Sequence, residues 1–118
     1  MMHLLVAVIE DPEDVESILD RFYESDITGA TVLDGKGMGH MIAHRYSIFA
    51  RFADLTGSVE EDVHNTVLFT VLGDDALLER AIQIVQDVVG DLSAPNTGLV
   101  FTVGLDRVIG LAQPVREN

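Results

Sequence analysis

The sequence predicts an α+β domain in which two helices cover one face of a four-stranded antiparallel sheet. Three observations carry that expectation. Apolar runs of strand length occur at His3–Ile9, Ile27–Leu33, Asn65–Leu72 and Gly98–Gly104. Stretches of helical apolar spacing, each opened by aspartates, follow the first and the third of them. The resulting order is β-α-β, an insertion, β-α-β and a tail, which is the split β-α-β or ferredoxin-like pattern.

The elements are justified in turn. HLLVAVI (His3–Ile9) is apolar almost throughout, as in a strand buried on both sides or at a subunit contact. Asp11-Pro12-Glu13-Asp14 is a helix start, with Asp as N-cap, Pro in the first helical position and acids in the first turn. Val15, Ile18, Leu19 and Phe22 then recur at helical spacing while Glu16, Asp20 and Glu24 fall elsewhere. An amphipathic helix of about four turns follows from that pattern. ITGATVL (Ile27–Leu33), entered through Ser25 and Asp26, reads as the second strand. In His40–Thr56, Ile42, Tyr46, Phe49, Phe52 and Ala53 can share a helical face, and Phe49 and Phe52 can also alternate in a strand; a short helix is the preferred reading. Gly57–Asp62 is an acidic loop.

NTVLFTVL (Asn65–Leu72) is dense in β-branched and aromatic residues and is the clearest strand. Gly73-Asp74-Asp75 opens the second helix, whose apolar face comprises Leu77, Leu78, Ala81, Ile82, Val85, Val88 and Val89, with Gly90 placed to end it. DLSAPNT (Asp91–Thr97) is turn chemistry, and GLVFTVG (Gly98–Gly104) is the fourth strand. Asp106–Ala112 reads as a short edge strand or tail. The expected organisation is one domain over 1–112, with an insertion at 40–64 and a C-terminal tail at 113–118.

Composition narrows the function. With 118 residues the chain is long enough for one core without covalent staples. It has no cysteine, which removes disulfides, thiolate metal sites and cysteine nucleophiles and suits a reducing cytoplasm. The first apolar run lacks a basic flank and runs into Glu10, Asp11 and Pro12, unlike a signal peptide. No apolar stretch approaches the ~20 residues of a membrane-spanning helix. The 20 acids against 7 bases give a net charge of −13. That balance argues against nucleic acid and against an anionic membrane surface, both of which need clustered cations. Solubility accounts for the excess, and a basic protein partner is the functional alternative.

Two helices can cover only one face of four strands. The strands are apolar at nearly every position, so the other face is expected to be apolar as well. A soluble monomer would expose it, so packing against other copies in a closed symmetric oligomer is expected.

At this point the sequence resembles the PII-like signalling proteins, relatives of the nitrogen regulatory protein PII. The element order fits nearly the whole chain. TGATVLDGKGMGH (28–40) is similar to the family's strand ending in a G-x-G element before its long T-loop. TVLFTVLGDDALLERAIQIV (66–85) and GLVFTVGLDRVIGL (98–111) are similar to the third strand with the second helix, and to the last strands. The resemblance implies a homotrimer with effector sites in the clefts between subunits. There the end of the second strand of one copy faces the loop before the fourth strand of another. It also implies a T-loop, here 40–64, that docks on a membrane transporter or enzyme.

The sequence departs from the nucleotide-binding members in three places. The loop before the last strand, SAPNTGLVF, has Pro95, Asn96, Thr97 and Gly98 but no cation. The tail carries Arg107 and Arg116 but Gly110 and Ala112 where further basic residues would fall. The T-loop region lacks the modification tyrosine in a clear context. Without cations a triphosphate would leave desolvated charge uncompensated. The departures point to a less charged effector: an adenosine monophosphate derivative, a cyclic dinucleotide, or a bicarbonate-type anion near Lys36 or Arg45.

The candidate cleft residues are Thr31, Lys36, Gly37, Gly39 and His40 from one subunit, and Asn96, Thr97 and Gly98 from another. Gly35, Gly37 and Gly39 suit either a turn at positive φ or backbone N–H groups turned to an anion. They form neither a Walker motif nor a dinucleotide fingerprint. Lys36, the only lysine, reads either as an anion contact or as a surface partner of Asp34. The i, i+4 pair His40 and His44, with His64 and Glu60-Glu61-Asp62, is the alternative: a metal-binding trimer of the divalent-cation tolerance type. A ligand-free assembly module is a further alternative. Phe49 and Phe52, with Met38, Met41 and Ile42, either fold onto the core or form a docking segment. Ser47, Ser58, Ser93 and Thr97 show no nucleophile–base set, so no enzyme is expected. No resident cofactor is expected beyond a small effector such as an adenine nucleotide.

Overall fold

The computed structural model describes residues 1–38, 65–94 and 97–111. Along these run β1 (Met2–Ile9), α1 (Pro12–Glu24), β2 (Thr31–Gly35), β3 (Asn65–Leu72), α2 (Asp75–Val89) and β4 (Gly98–Leu105). All neighbouring strands are antiparallel and their order is β2-β3-β1-β4. Each helix thus links two strands that have a third between them, which is the ferredoxin-like arrangement predicted from the sequence.

Local chemistry sets the helix ends. The Asp11 carboxylate accepts from the Glu13 N–H at 2.9 Å, and Pro12 occupies the first turn of α1. The Asp74 carboxylate caps α2 in the same way through the Leu77 N–H at 2.8 Å. α1 ends in a Schellman motif. Ile27 N–H donates to Phe22 C=O at 2.8 Å, Asp26 N–H donates to Tyr23 C=O at 3.2 Å, and Asp26 takes φ 65°. Ile27 and Phe22 are both buried, as that motif requires. This corrects the expected second strand. Ile27 owes its apolarity to the helix stop, and β2 runs from Thr31 to Gly35 instead. At the other end β4 extends to Leu105, and of the two readings for the residues after it, edge strand or tail, no strand follows over residues 106–111. The expected helix in 40–56 lies outside the described residues.

Pairing register assigns the two faces of the sheet. Ala7 stands opposite Leu68 and Val100, and Leu5 opposite Thr70 and Thr102. Opposed residues share a face. Leu5, Ala7, Ile9, Leu68 and Leu72 therefore meet Val15, Ile18 and Phe22 of α1 and Leu78, Ala81, Ile84 and Val85 of α2 in one core. The two helices run antiparallel, tied by Arg21 to Asp87 and by Arg80 to Ser25 at 3.4 Å each. Thr70 is buried among these side chains, and its hydroxyl has no hydrogen-bond partner among the described residues.

The other face has no helix among the described residues. Its register positions are Leu4, Val6 and Val8 on β1, Val67, Phe69 and Val71 on β3, Leu33 on β2, and Leu99, Phe101 and Val103 on β4. Leu33, Leu99, Phe101 and Val103 are 53%, 56%, 44% and 45% exposed. The apolar second face expected from the strand sequences is present.

Candidate functional site

The candidate residues are positioned by one end of the sheet. Gly35, the last residue of β2, stands opposite Asn65 of β3. Glu10 follows β1 beside Asn65, because Ile9 pairs with Thr66. Ile9 also pairs with Gly98, so Thr97 enters β4 at the same end. Gly35, Asn65, Glu10 and Thr97 therefore lie in a row across four strands. Three strand spacings, about 14 Å, separate its two ends. Lys36 and Gly37 continue beyond Gly35, and Lys36 is exposed.

The two halves of the predicted site thus sit at one end of the sheet but on opposite edges of one chain. Thr31 is placed differently. It opens β2 opposite Phe69, four residues from Gly35, or about 13 Å along the strand, and shares the open face. Gly39, His40 and Asn96, with His44 and His64 of the metal alternative, lie outside the described residues. Among the described residues no group of three His, Cys, Asp or Glu is placed to hold a metal ion.

Gly98 has a structural role of its own. Its φ is +149°, and a Cβ there would fall 2.5 Å from the carbonyl oxygen of Val8. Only glycine lets β4 approach β1 this closely at its first residue. Just before it, the Thr97 hydroxyl donates to the Ala94 C=O at 2.9 Å. Its proton is committed, and its lone pairs remain to accept from a ligand. The Asp91 carboxylate accepts from both the hydroxyl and the N–H of Ser93, which holds its pKa below the usual carboxylate range. These bonds brace the turn that delivers Thr97.

Gly35 is extended strand backbone, not a left-handed turn. No ion pair joins Lys36 to Asp34 among the described residues; the pairs there are His3–Asp75 and Arg21–Asp87. Sequence reasoning missed the polar link beside Gly35. With its amide nitrogen turned to Glu10, Asn65 donates to both carboxylate oxygens, at 2.9 and 3.0 Å. Strand pairing alone brings those two residues together, and no local sequence signal marks it. Sequence reasoning also missed the link at the opposite end of the sheet, where His3 Nε2 meets Asp75 Oδ1 at 2.8 Å. That hydrogen bond, followed by the nearby N-terminal ammonium, holds the Asp75 pKa below the usual carboxylate range.

A four-stranded antiparallel sheet in split β-α-β order, with both described helices on one face, defines a class: the ferredoxin-like α+β proteins. The profile described as "Nitrogen regulatory protein P-II" matches residues 2–113, and the chain belongs to that family. Among solved structures it is similar to the crystal structure of Arabidopsis thaliana PII bound to citrate, with a TM-score of 0.60 and 14% sequence identity over 88% of this chain and 77% of that one. At that identity the likeness concerns the fold. A search of curated proteins gives no match. No helix among the described residues is long and apolar enough to cross a membrane.

Proposed function

We propose that the protein is a homotrimeric P-II-type regulator that binds a small effector between subunits. Residues 40–64 would pass the bound state to a partner, a membrane transporter or an enzyme. The observation that carries the reading is the split site. The β2 end and the β4 start share one end of the sheet yet occupy opposite edges, and an apolar face is left for sister chains to cover. One copy's Lys36 and Gly37, with Gly39 and His40, would then face Asn96, Thr97 and Gly98 of another. Thr31 of the same copy would lie about 13 Å from Gly35 along β2, on the face that sister chains would cover.

The family, one of signalling regulators, supports a binding role rather than catalysis. The citrate in the Arabidopsis PII structure shows that a P-II fold accommodates a small anion in that protein. The cysteine-free, acidic composition is in keeping with a cytoplasmic site of action. An effector would act by population shift, favouring the arrangement of 40–64 that it contacts better. Native mass spectrometry of the purified protein tests the reading. The expected result is a three-chain assembly that retains or takes up small molecules. A stable 12.9 kDa single chain in dilute solution would end it.

A further inference from the structure

The long connection between β2 and β3 begins and ends at one place. The chain leaves the sheet after Gly35 and rejoins it at Asn65, and these two residues stand opposite each other. On the β2 side this neck is weakly held. β2 is an edge strand of five residues, and Thr31, Val32, Leu33 and Asp34 are all exposed. The end pairs of a short edge strand open more readily than the centre of a sheet. The β3 side is tied down by a side chain. With its amide nitrogen turned to Glu10, Asn65 donates to both carboxylate oxygens, at 2.9 and 3.0 Å.

Glu10 is itself well anchored. Ile9 before it is fully buried in the core, and Asp11 after it caps α1. Asn65 continues the alternation of Val67 and Phe69, so the pair lies on the open face of the sheet, away from the helix-packed core. An ionised carboxylate offers only acceptors, and the amide supplies the donor. The contact is therefore charge-assisted and sensitive to which partner donates.

We infer that the Glu10–Asn65 pair is a clamp that fixes where the chain rejoins the sheet after this connection. Glu10 is its positioning residue and ties the neck to the start of α1. The clamp lies within one chain and does not depend on assembly; its bearing on signalling rests on the reading above that 40–64 meets a partner. The test is hydrogen exchange by mass spectrometry on the full-length protein at neutral pH. Asn65→Asp sets acceptors against acceptors at unchanged side-chain length. Exchange in 33–37 and 65–68 should rise about tenfold while that of α2 stays as it was. Glu10→Gln keeps one acceptor and should give a smaller rise. The double variant Glu10→Gln/Asn65→Asp swaps donor and acceptor and keeps the wild-type net charge, so it should be better protected than Asn65→Asp alone. Asn65→Asp with Glu79→Gln restores the same charge at an exposed position of α2 and should recover nothing. Unaltered neck exchange in Asn65→Asp overturns the inference, as does a rise of equal size across α2. So does a double variant no better protected, or no better folded, than Asn65→Asp, or an equal recovery with Glu79→Gln. The trimer reading is judged apart from this, by the three-chain mass of the wild-type protein.

Discussion

At the scale of single residues, several side chains have roles that their neighbours in sequence do not reveal. Asp75 reads as a first-turn acid of α2, and it is one, but the fold also brings it against His3 of β1. Its folded pKa is lowered, first by that hydrogen bond and then by the N-terminal ammonium. A carboxylate with a depressed folded pKa stabilises the fold above its unfolded value, here 3.8, and that contribution is lost as pH falls through the folded pKa. Asp75→Asn should therefore lower Tm at neutral pH. The gap from wild type should narrow as the pH is taken below 3.8. A gap that stays constant through that acid range, followed by differential scanning calorimetry, would contradict the linkage. Thr70 is the opposite case: its buried hydroxyl lacks a partner among the described residues, a cost of about 1–3 kcal/mol that the surrounding apolar contacts must offset.

At the scale of elements, the entry of β4 depends on one atom that is missing. Gly98 lies where a Cβ would meet the Val8 carbonyl oxygen, at a φ that L side chains rarely adopt. Gly98→Ala should cost about 2–4 kcal/mol, read as a shift in the urea midpoint with the slope unchanged. A neutral substitution would mean that β4 can start one residue later without loss. The junction of α1 and β2 shows how a residue can be assigned to the wrong neighbouring element. The start of α1 was legible from Asp11 and Pro12, because capping is a short-range affair. What the sequence does not show is the form of its stop, a Schellman motif in which Asp26 takes the left-handed conformation that glycine usually supplies. Ile27 then looked like the first residue of a strand, although its burial belongs to the helix stop.

At the scale of the whole molecule, an apolar sheet face and an acidic exterior act in opposite directions. The face bearing Leu99, Phe101 and Val103 favours association, and self-repulsion among chains of net charge −13 resists it. The trimer we propose needs the first to prevail. Phe101→Glu places a charge on that face halfway along the edge strand β4, at a side chain 44% exposed in the single chain, and leaves the helix-packed core untouched. The expected result is a single chain by light scattering with an unchanged helical circular dichroism spectrum. An assembly of unaltered mass would show that this face is not the one the copies share.

The sequence by itself determined the elements, their order and the apolar character of both sheet faces. Capping, periodicity and β-branched runs act over a few residues, and such patterns remain visible along a chain. It also displayed the G-x-G element and the lone lysine as chemistry without a setting. Only the tertiary structure decided that Gly35 and Thr97 share one end of the sheet from opposite edges, that Thr31 stands apart from them, and that Asn65 meets Glu10. Those relations arise from strand order and register, which join residues tens of positions apart, and no local preference encodes them.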